Sequence, residues 1–293
     1  MTWGKGTKII YTPKKSRMRA PARGVPILPV ILTIFTLVLL CFGGYKLLTN
    51  PRYMIDALSV TGGTEDTRQR VSQLLSAELQ GTVWEFIPKS EYFFVSPKTL
   101  MSSIQNNFPE IQSVSIEKKF AKTLIVSFEE RLAWGIYCGG IRYSDSDVAS
   151  TTAESAGDLD GVNCVYIDGG GFAFSPAPYL FGSLTKKVFS DNPDVAIGSS
   201  PVSLGLLSFY DGIKDIYSEF SLPVTALVVS TESLKDIRLY SGSWYAIFDR
   251  QADIGKLKPV IQGLFKNELV GKFDRLEYID IRFGNKVFYK LKQ

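Results

Sequence analysis

The sequence predicts an α+β protein with a single N-terminal transmembrane helix. A small strand-helix-helix-strand-strand module follows, then a β-rich domain with a mainly antiparallel sheet and flanking helices. Three observations lead there. A long uncharged apolar run lies close to the N-terminus of the 293 residues; two helical patterns sit between strand patterns before residue 131; and period-two alternation dominates the remainder.

The first 24 residues carry seven bases and no acid, leaving 26 bases against 29 acids in the rest, so a basic tail precedes a mildly acidic body. Between them, Gly24 to Tyr45 has no charge. As a helix those 22 residues would span roughly 33 Å, against about 30 Å of hydrocarbon. Residues 1–24 are therefore expected in the cytoplasm, 25–48 as the membrane helix, and the rest outside, because Lys46 and Arg52 are the only bases close behind the run. The exit Phe42-Gly43-Gly44-Tyr45-Lys46 lacks a small-x-small cleavage pattern, which favours a permanent anchor over a cleaved signal. Leu40 before Cys41 argues against lipidation, so Cys41 reads as an apolar residue facing lipid.

Beyond Tyr53, Ile55, Leu58 and Val60 lead to the Gly62-Gly63 turn. Thr64-Glu65-Asp66 then caps a helix whose apolar face is Val71, Leu74, Leu75 and Leu79. Ser96-Pro97 opens a second helix with Leu100, Ile104 and Phe108, and Phe108-Pro109 ends it. Val114 and Ile116, then Leu124, Val126 and Phe128, alternate with polar residues as a hairpin with one buried face.

From Leu132 the strands carry Cys138 and Cys164, and Ser144 to Asp160 between them reads as a solvated acidic loop without a calcium ladder. Both Cys fall in the exported part, where disulfides persist. A bond would stabilise the fold by roughly 3 kcal/mol, and two separate buried thiols are the alternative. Gly169-Gly170-Gly171 reads as a hairpin turn and not a phosphate loop, since a strand follows it. Leu206, Leu207, Tyr210, Ile213, Tyr217 and Phe220 mark a helix. Ile237 to Phe248 hold two strands, and a last helix spans roughly 256–269, with Pro259 tolerable only near its first turn. In the final strand, Ile279, Ile281 and Phe283 share one face while Tyr278, Asp280 and Arg282 point the other way. Gly284-Asn285 can turn the chain, or bulge it, into Lys286 to Lys290.

The chain has no His, which removes Ser-His-Asp and Cys-His catalysis and imidazole metal sites. Ser183-Leu184-Thr185-Lys186 and Ser190-Asp191-Asn192 imitate boxes of penicillin-recognising enzymes, but they are three residues apart in a Ser- and Lys-rich stretch read as loop, and no Lys-Thr-Gly box accompanies them. A Ser-Lys membrane hydrolase stays open as a minor alternative. Nothing singles out a cofactor, a metal site or a nucleic-acid surface, and the chemistry reads as binding.

The order of short motifs resembles the FtsQ/DivIB family of bacterial cell-division proteins. These motifs are Val60-Thr61-Gly62, Phe108-Pro109-Glu110-Ile111, Lys119-Phe120 with Thr123-Leu124 and Glu130-Arg131, Tyr166-Ile167-Asp168 with Gly171, and Leu276 to Phe283. The resemblance implies a POTRA domain over 53–131 and the family's β-domain over 132–293. It further implies a non-enzymatic bitopic scaffold of the divisome, placed at the septum, that binds FtsB/DivIC-like and FtsL-like proteins and leaves room for other divisome proteins at the POTRA domain. By position the partner contact falls on Tyr278, Asp280, Arg282, Phe283, Gly284 and Asn285, on a C-terminal strand taken as a sheet edge open to strand addition. For Ile279 and Ile281 a core role is favoured over contact, and Arg282 is a candidate to pair with a partner acid. The Cys138 and Cys164 pair departs from better-known members. A POTRA-containing envelope-assembly or secretion component is the principal alternative.

Overall fold

The computed structural model describes residues 27–48, 50–83, 87–119, 122–140, 163–178, 184–230, 236–284 and 286–293. The chain divides into two compact units, one up to Tyr53 and one from Met54. The first holds helix α1 (Ile27–Leu48) and a 3-10 turn, Pro51–Tyr53. Leu28–Lys46, 19 residues, is long and apolar enough to cross a membrane, and none of it is buried by protein. The hydroxyls of Thr33 and Thr36 donate to the carbonyls of Val30 and Thr33 at 2.8 and 2.9 Å, so neither needs water as a partner.

The second unit opens with β1 (Ala57–Thr61), α2 (Glu65–Leu79), β2 (Thr82–Val83), β3 (Ile87–Pro88), α3 (Pro97–Asn107), β4 (Ile111–Lys119) and β5 (Thr123–Glu130). Helix α2 begins where expected because Thr64 Oγ1 accepts from the Thr67 amide, and Ser96 Oγ does the same for Thr99 at the start of α3. Val71, Leu75, Leu100 and Ile104 from the helices meet Ile116, Leu124, Val126 and Phe128 from a three-stranded sheet ordered β1-β5-β4, with β1 parallel to β5. At Gly62, φ is +107° and a Cβ would lie 1.9 Å from the Phe128 carbonyl oxygen, so only glycine closes the turn. The two-residue β2–β3 ladder was not anticipated.

The remaining elements are β6 (Gly135–Gly139), β7 (Asn163–Ile167), β8 (Ala173–Pro176), β9 (Lys187–Ser190), α4 (Leu204–Ser218), β10 (Ala226–Val229), β11 (Asp236–Ser241), β12 (Trp244–Asp249), α5 (Ile254–Gly263), β13 (Leu276–Phe283) and β14 (Lys286–Leu291). They build a nine-stranded sheet ordered β14-β13-β12-β11-β10-β9-β6-β7-β8. The sheet is mixed. Five neighbouring pairs are antiparallel, while β9 runs parallel to β6 and β10, and β12 to β13. The parallel pairs β9/β10 and β12/β13 are joined through α4 and α5, and both helices cover one sheet face with Leu206, Tyr210, Ile213, Tyr217, Leu257 and Ile261. On the opposite face, Ile136, Phe189, Val228 and Tyr240 surround Cys138 and Cys164. Those two cysteines are register partners in β6 and β7 and are disulfide-bonded, with Cα atoms 4.1 Å apart.

Two sequence readings are corrected here. Residues 187–190, taken as part of a Ser- and Lys-rich loop, form a strand buried along its whole length. Covered on both faces, it shows no polar alternation to reveal it. Pro259 lies in the second turn of α5, not the first, and a five-residue π-helical segment, Leu264–Glu268, continues α5 beyond Gly263.

Arg131 ties the three-stranded sheet to the nine-stranded one. Its amide donates to the Glu110 carbonyl at 2.8 Å, its Nε to the Pro109 carbonyl at 3.0 Å, and its Nη1 to Asp168 Oδ2 at 2.6 Å, with the guanidinium 4.2 Å from the Phe172 ring centroid. Burial pushes the Asp168 carboxyl up, but bonds from the Phe172 amide, Arg131 and the Gly170 amide together hold it below the usual range.

Candidate functional site

The candidate residues stand at the C-terminal end of the nine-stranded sheet. Strand β13 buries Leu276, Ile279 and Ile281 against α4 and α5. The three-residue step from 276 to 279 needs an irregularity, which the ladder with β14 supplies between Leu276 and Tyr278. A second irregularity falls between Asp280 and Phe283. The second one corrects the expected face: Phe283 does not continue the buried row of Ile279 and Ile281 but is 55% exposed, edge-on to Phe288 at 5.5 Å.

Tyr278 is half-buried and stacks on Tyr245 at 5.9 Å, which in turn contacts Tyr240 at 5.3 Å, forming an aromatic row across β13, β12 and β11 on the sheet face away from the helices. Asp280 is buried and held by a fork from Arg282, Nε to Oδ1 at 2.9 Å and Nη2 to Oδ2 at 2.6 Å. The third guanidinium nitrogen, Nη1, donates to Asp236 Oδ2 at 2.7 Å. This fork holds the Asp280 carboxyl below its ordinary value and pushes the Arg282 guanidinium up. Arg282 therefore has two carboxylates of its own chain, and Asp280 is no open surface group. Gly284 turns the chain at φ +67°, and Asn285 lies outside the described residues.

Strand β13 is not the sheet's edge. It lies between β12 and β14, so the backbone groups expected to receive a partner strand are already used, and among the described residues β14 is the outermost strand. Sequence reasoning missed Phe288 and Tyr289, which are exposed on β14 at 55% and 37%, and Lys286 beside them. The signal was present in Lys286-Val287-Phe288-Tyr289-Lys290, where Val287 and Leu291 touch the core and Phe288 faces the other side. Lys290 Nζ meets Glu277 at 2.8 Å.

Elsewhere the chemistry is sparse. Among the described residues no cluster of three His, Cys, Asp or Glu is placed to hold a metal ion. A cleft lined by Ile55, Asp56, Ser76, Leu79 and Ser90 contains Asp56 as its one ionisable lining group. Lys186 is paired with Asp211 at 2.6 Å over the Trp134 ring, while Ser183 lies outside the described residues. Compared with known proteins, the chain matches no family model and no curated sequence.

Proposed function

We propose that this protein is a single-pass scaffold of the bacterial division complex, of the FtsQ/DivIB kind. It would bind FtsB/DivIC-like and FtsL-like proteins at the outer edge of its nine-stranded sheet. The observation that carries the reading is β14, a six-residue edge strand that exposes Phe288 and Tyr289, with exposed Phe283 just before it on β13. An incoming strand would find backbone donors and acceptors along Lys286–Leu291 and aromatic rings to either side. The contact thus moves one strand outward from the residues the sequence suggested, with Phe283 retained and Asp280 and Arg282 shaping the strand from behind.

The order β1-α2-α3-β4-β5, with the short β2–β3 ladder between the two helices, supports reading residues 53–131 as the POTRA domain. The seven bases before α1 support a cytoplasmic N-terminus. The test follows the full chain, fluorescently tagged at its N-terminus, in dividing cells, beside a Phe283→Asp/Phe288→Asp variant. A septal band that fades in the variant, with at least about fivefold weaker capture of an FtsB-like partner by the purified protein, is the expected outcome. Even distribution of both forms around the membrane would overturn the division role and move an envelope-assembly role ahead.

A further inference from the structure

A second exposed aromatic site lies in the turn between β3 and α3. Phe93 is 59% and Phe94 39% exposed, although the turn that carries them is firmly built. The amides of Phe94 and Val95 both donate to the Glu91 carbonyl at 3.0 and 3.1 Å. Lys118 Nζ donates to the Tyr92 and Val95 carbonyls at 2.9 and 3.0 Å and lies 4.6 Å from the Tyr92 ring. Tyr92 meets Phe93 edge-on at 5.6 Å. A turn fixed by its own backbone and a lysine, yet presenting two phenylalanines outward, is built for an apolar contact outside the protein.

Chain connectivity says what that contact is. Met54 forms a bridge with Glu91, and the Ile55 amide donates to the Ser90 carbonyl at 2.8 Å. Helix α1 ends at Leu48. Six residues of chain reach at most about 20 Å, so Met54, and with it the bridged Glu91 at the base of the turn, is tethered by a short length of chain to the membrane if α1 spans it. The surrounding charge fits a bilayer too. Lys89 and Lys98 are exposed on either side of the turn, and Lys122 is offset by Asp56 at 3.2 Å. Glu91, the turn's own acid, is fully buried and neither carboxylate oxygen has a hydrogen-bond partner; burial pushes it toward the neutral form.

We propose that Phe93 and Phe94 seat this turn in the headgroup layer of the membrane that α1 crosses, with Lys89 and Lys98 on anionic phospholipid headgroups. The inference rests on the membrane-spanning reading of α1 and is independent of the division role. It makes the turn a second anchor beside α1.

The test uses the full chain in a Cys41→Ser background, reconstituted in vesicles of phosphatidylethanolamine with phosphatidylglycerol and carrying one nitroxide at a time, introduced at Phe94→Cys, Leu132→Cys or Leu37→Cys. Leu132 is 84% exposed and lies beyond the far end of β5, away from the Lys122 end where β1 begins, so it reports on water. Access of a water-soluble nickel chelate to position 94 is expected to be several-fold lower than to position 132, and adding Phe93→Ser should bring the two together. Equal access at 94 and 132 with position 37 shielded would overturn the second anchor alone. Free access at position 37 would overturn the membrane-spanning reading and the anchor with it.

Discussion

The two outermost strands of the nine-stranded sheet are finished in different ways. Strand β8 is four residues long and ends in Pro176, and its free side is stitched to a neighbouring turn: the Ala173 amide donates to the Ser199 carbonyl at 2.8 Å and the Gly198 amide to the Ala173 carbonyl at 2.7 Å. Strand β14 is six residues long and contains no proline, and among the described residues no strand pairs with its outer side. Exposed sheet edges invite other chains, and proteins usually shorten, cover or charge them. This chain shortens and covers one edge and leaves the other with only Lys286 and Lys290 as guards. The contrast separates an edge that the fold itself closes from one that it leaves open.

The largest expected break is at the closed end. Gly171 turns the chain into β8 at φ +82°, and a Cβ there would lie 2.1 Å from the Val202 carbonyl oxygen. Gly171→Ala should lower the unfolding free energy by about 3–4 kcal/mol, through left-handed strain plus displacement of the Val202 backbone, as read by chemical denaturation. A loss under about 1 kcal/mol would mean that the β8 turn is loose and the edge is not closed by it.

At the open end, Arg282→Leu should cost about 2 kcal/mol by taking the guanidinium fork from the buried Asp280 carboxylate and leaving it only the amide of residue 282. The pH dependence gives the sign. Because the folded Asp280 carboxyl is held below its ordinary value of 3.8, its pairing contributes fully above that pH and is lost as pH falls through the lower folded value. Thermal melts of the native protein should therefore fall more steeply below pH 4 than those of Arg282→Leu. Parallel curves would show that the fork does not govern this end of the sheet.

The smallest effect on folding, and the sharpest on the contrast, is expected from Lys286→Val/Lys290→Val. Stability should change by no more than about 0.5 kcal/mol, since both side chains are exposed. Self-association in sedimentation velocity should nevertheless appear, because the edge has lost its charges. A variant that stays monomeric would show that something other than charge already protects β14.

The elements that could be read from sequence were those whose reasons are local. Thr64 and Ser96 cap their helices within three residues, and Val71, Leu75, Leu100 and Ile104 repeat at helical spacing, so α2 and α3 stand where the pattern put them. Strand β9 escaped because Val188 and Phe189 are buried on opposite faces while Lys187 and Ser190 disguise its ends as loop. The order of strands in the sheet was hidden for another reason: it follows from where the α4 and α5 crossovers land, which no window of sequence displays. The candidate site was half legible. Phe283 and the strand around it were identified, but the fork from Arg282 to Asp236 joins residues 46 positions apart, and the irregularity that turns Phe283 outward appears only in the pairing with β14.

The bond between Cys138 and Cys164 closes a ring of chain at a separation of 26, with β6 and β7 held side by side at its base. A ring tied off in this way isolates the sheet from whatever the segment between its ends contains. Doubling the length of such a segment costs only about 0.6 kcal/mol of closure entropy. An epitope, a fluorescent domain or a crosslinking handle inserted between the two cysteines would thus be held at its ends by β6 and β7, toward the β8 end of the strand order and away from the open edge at β14.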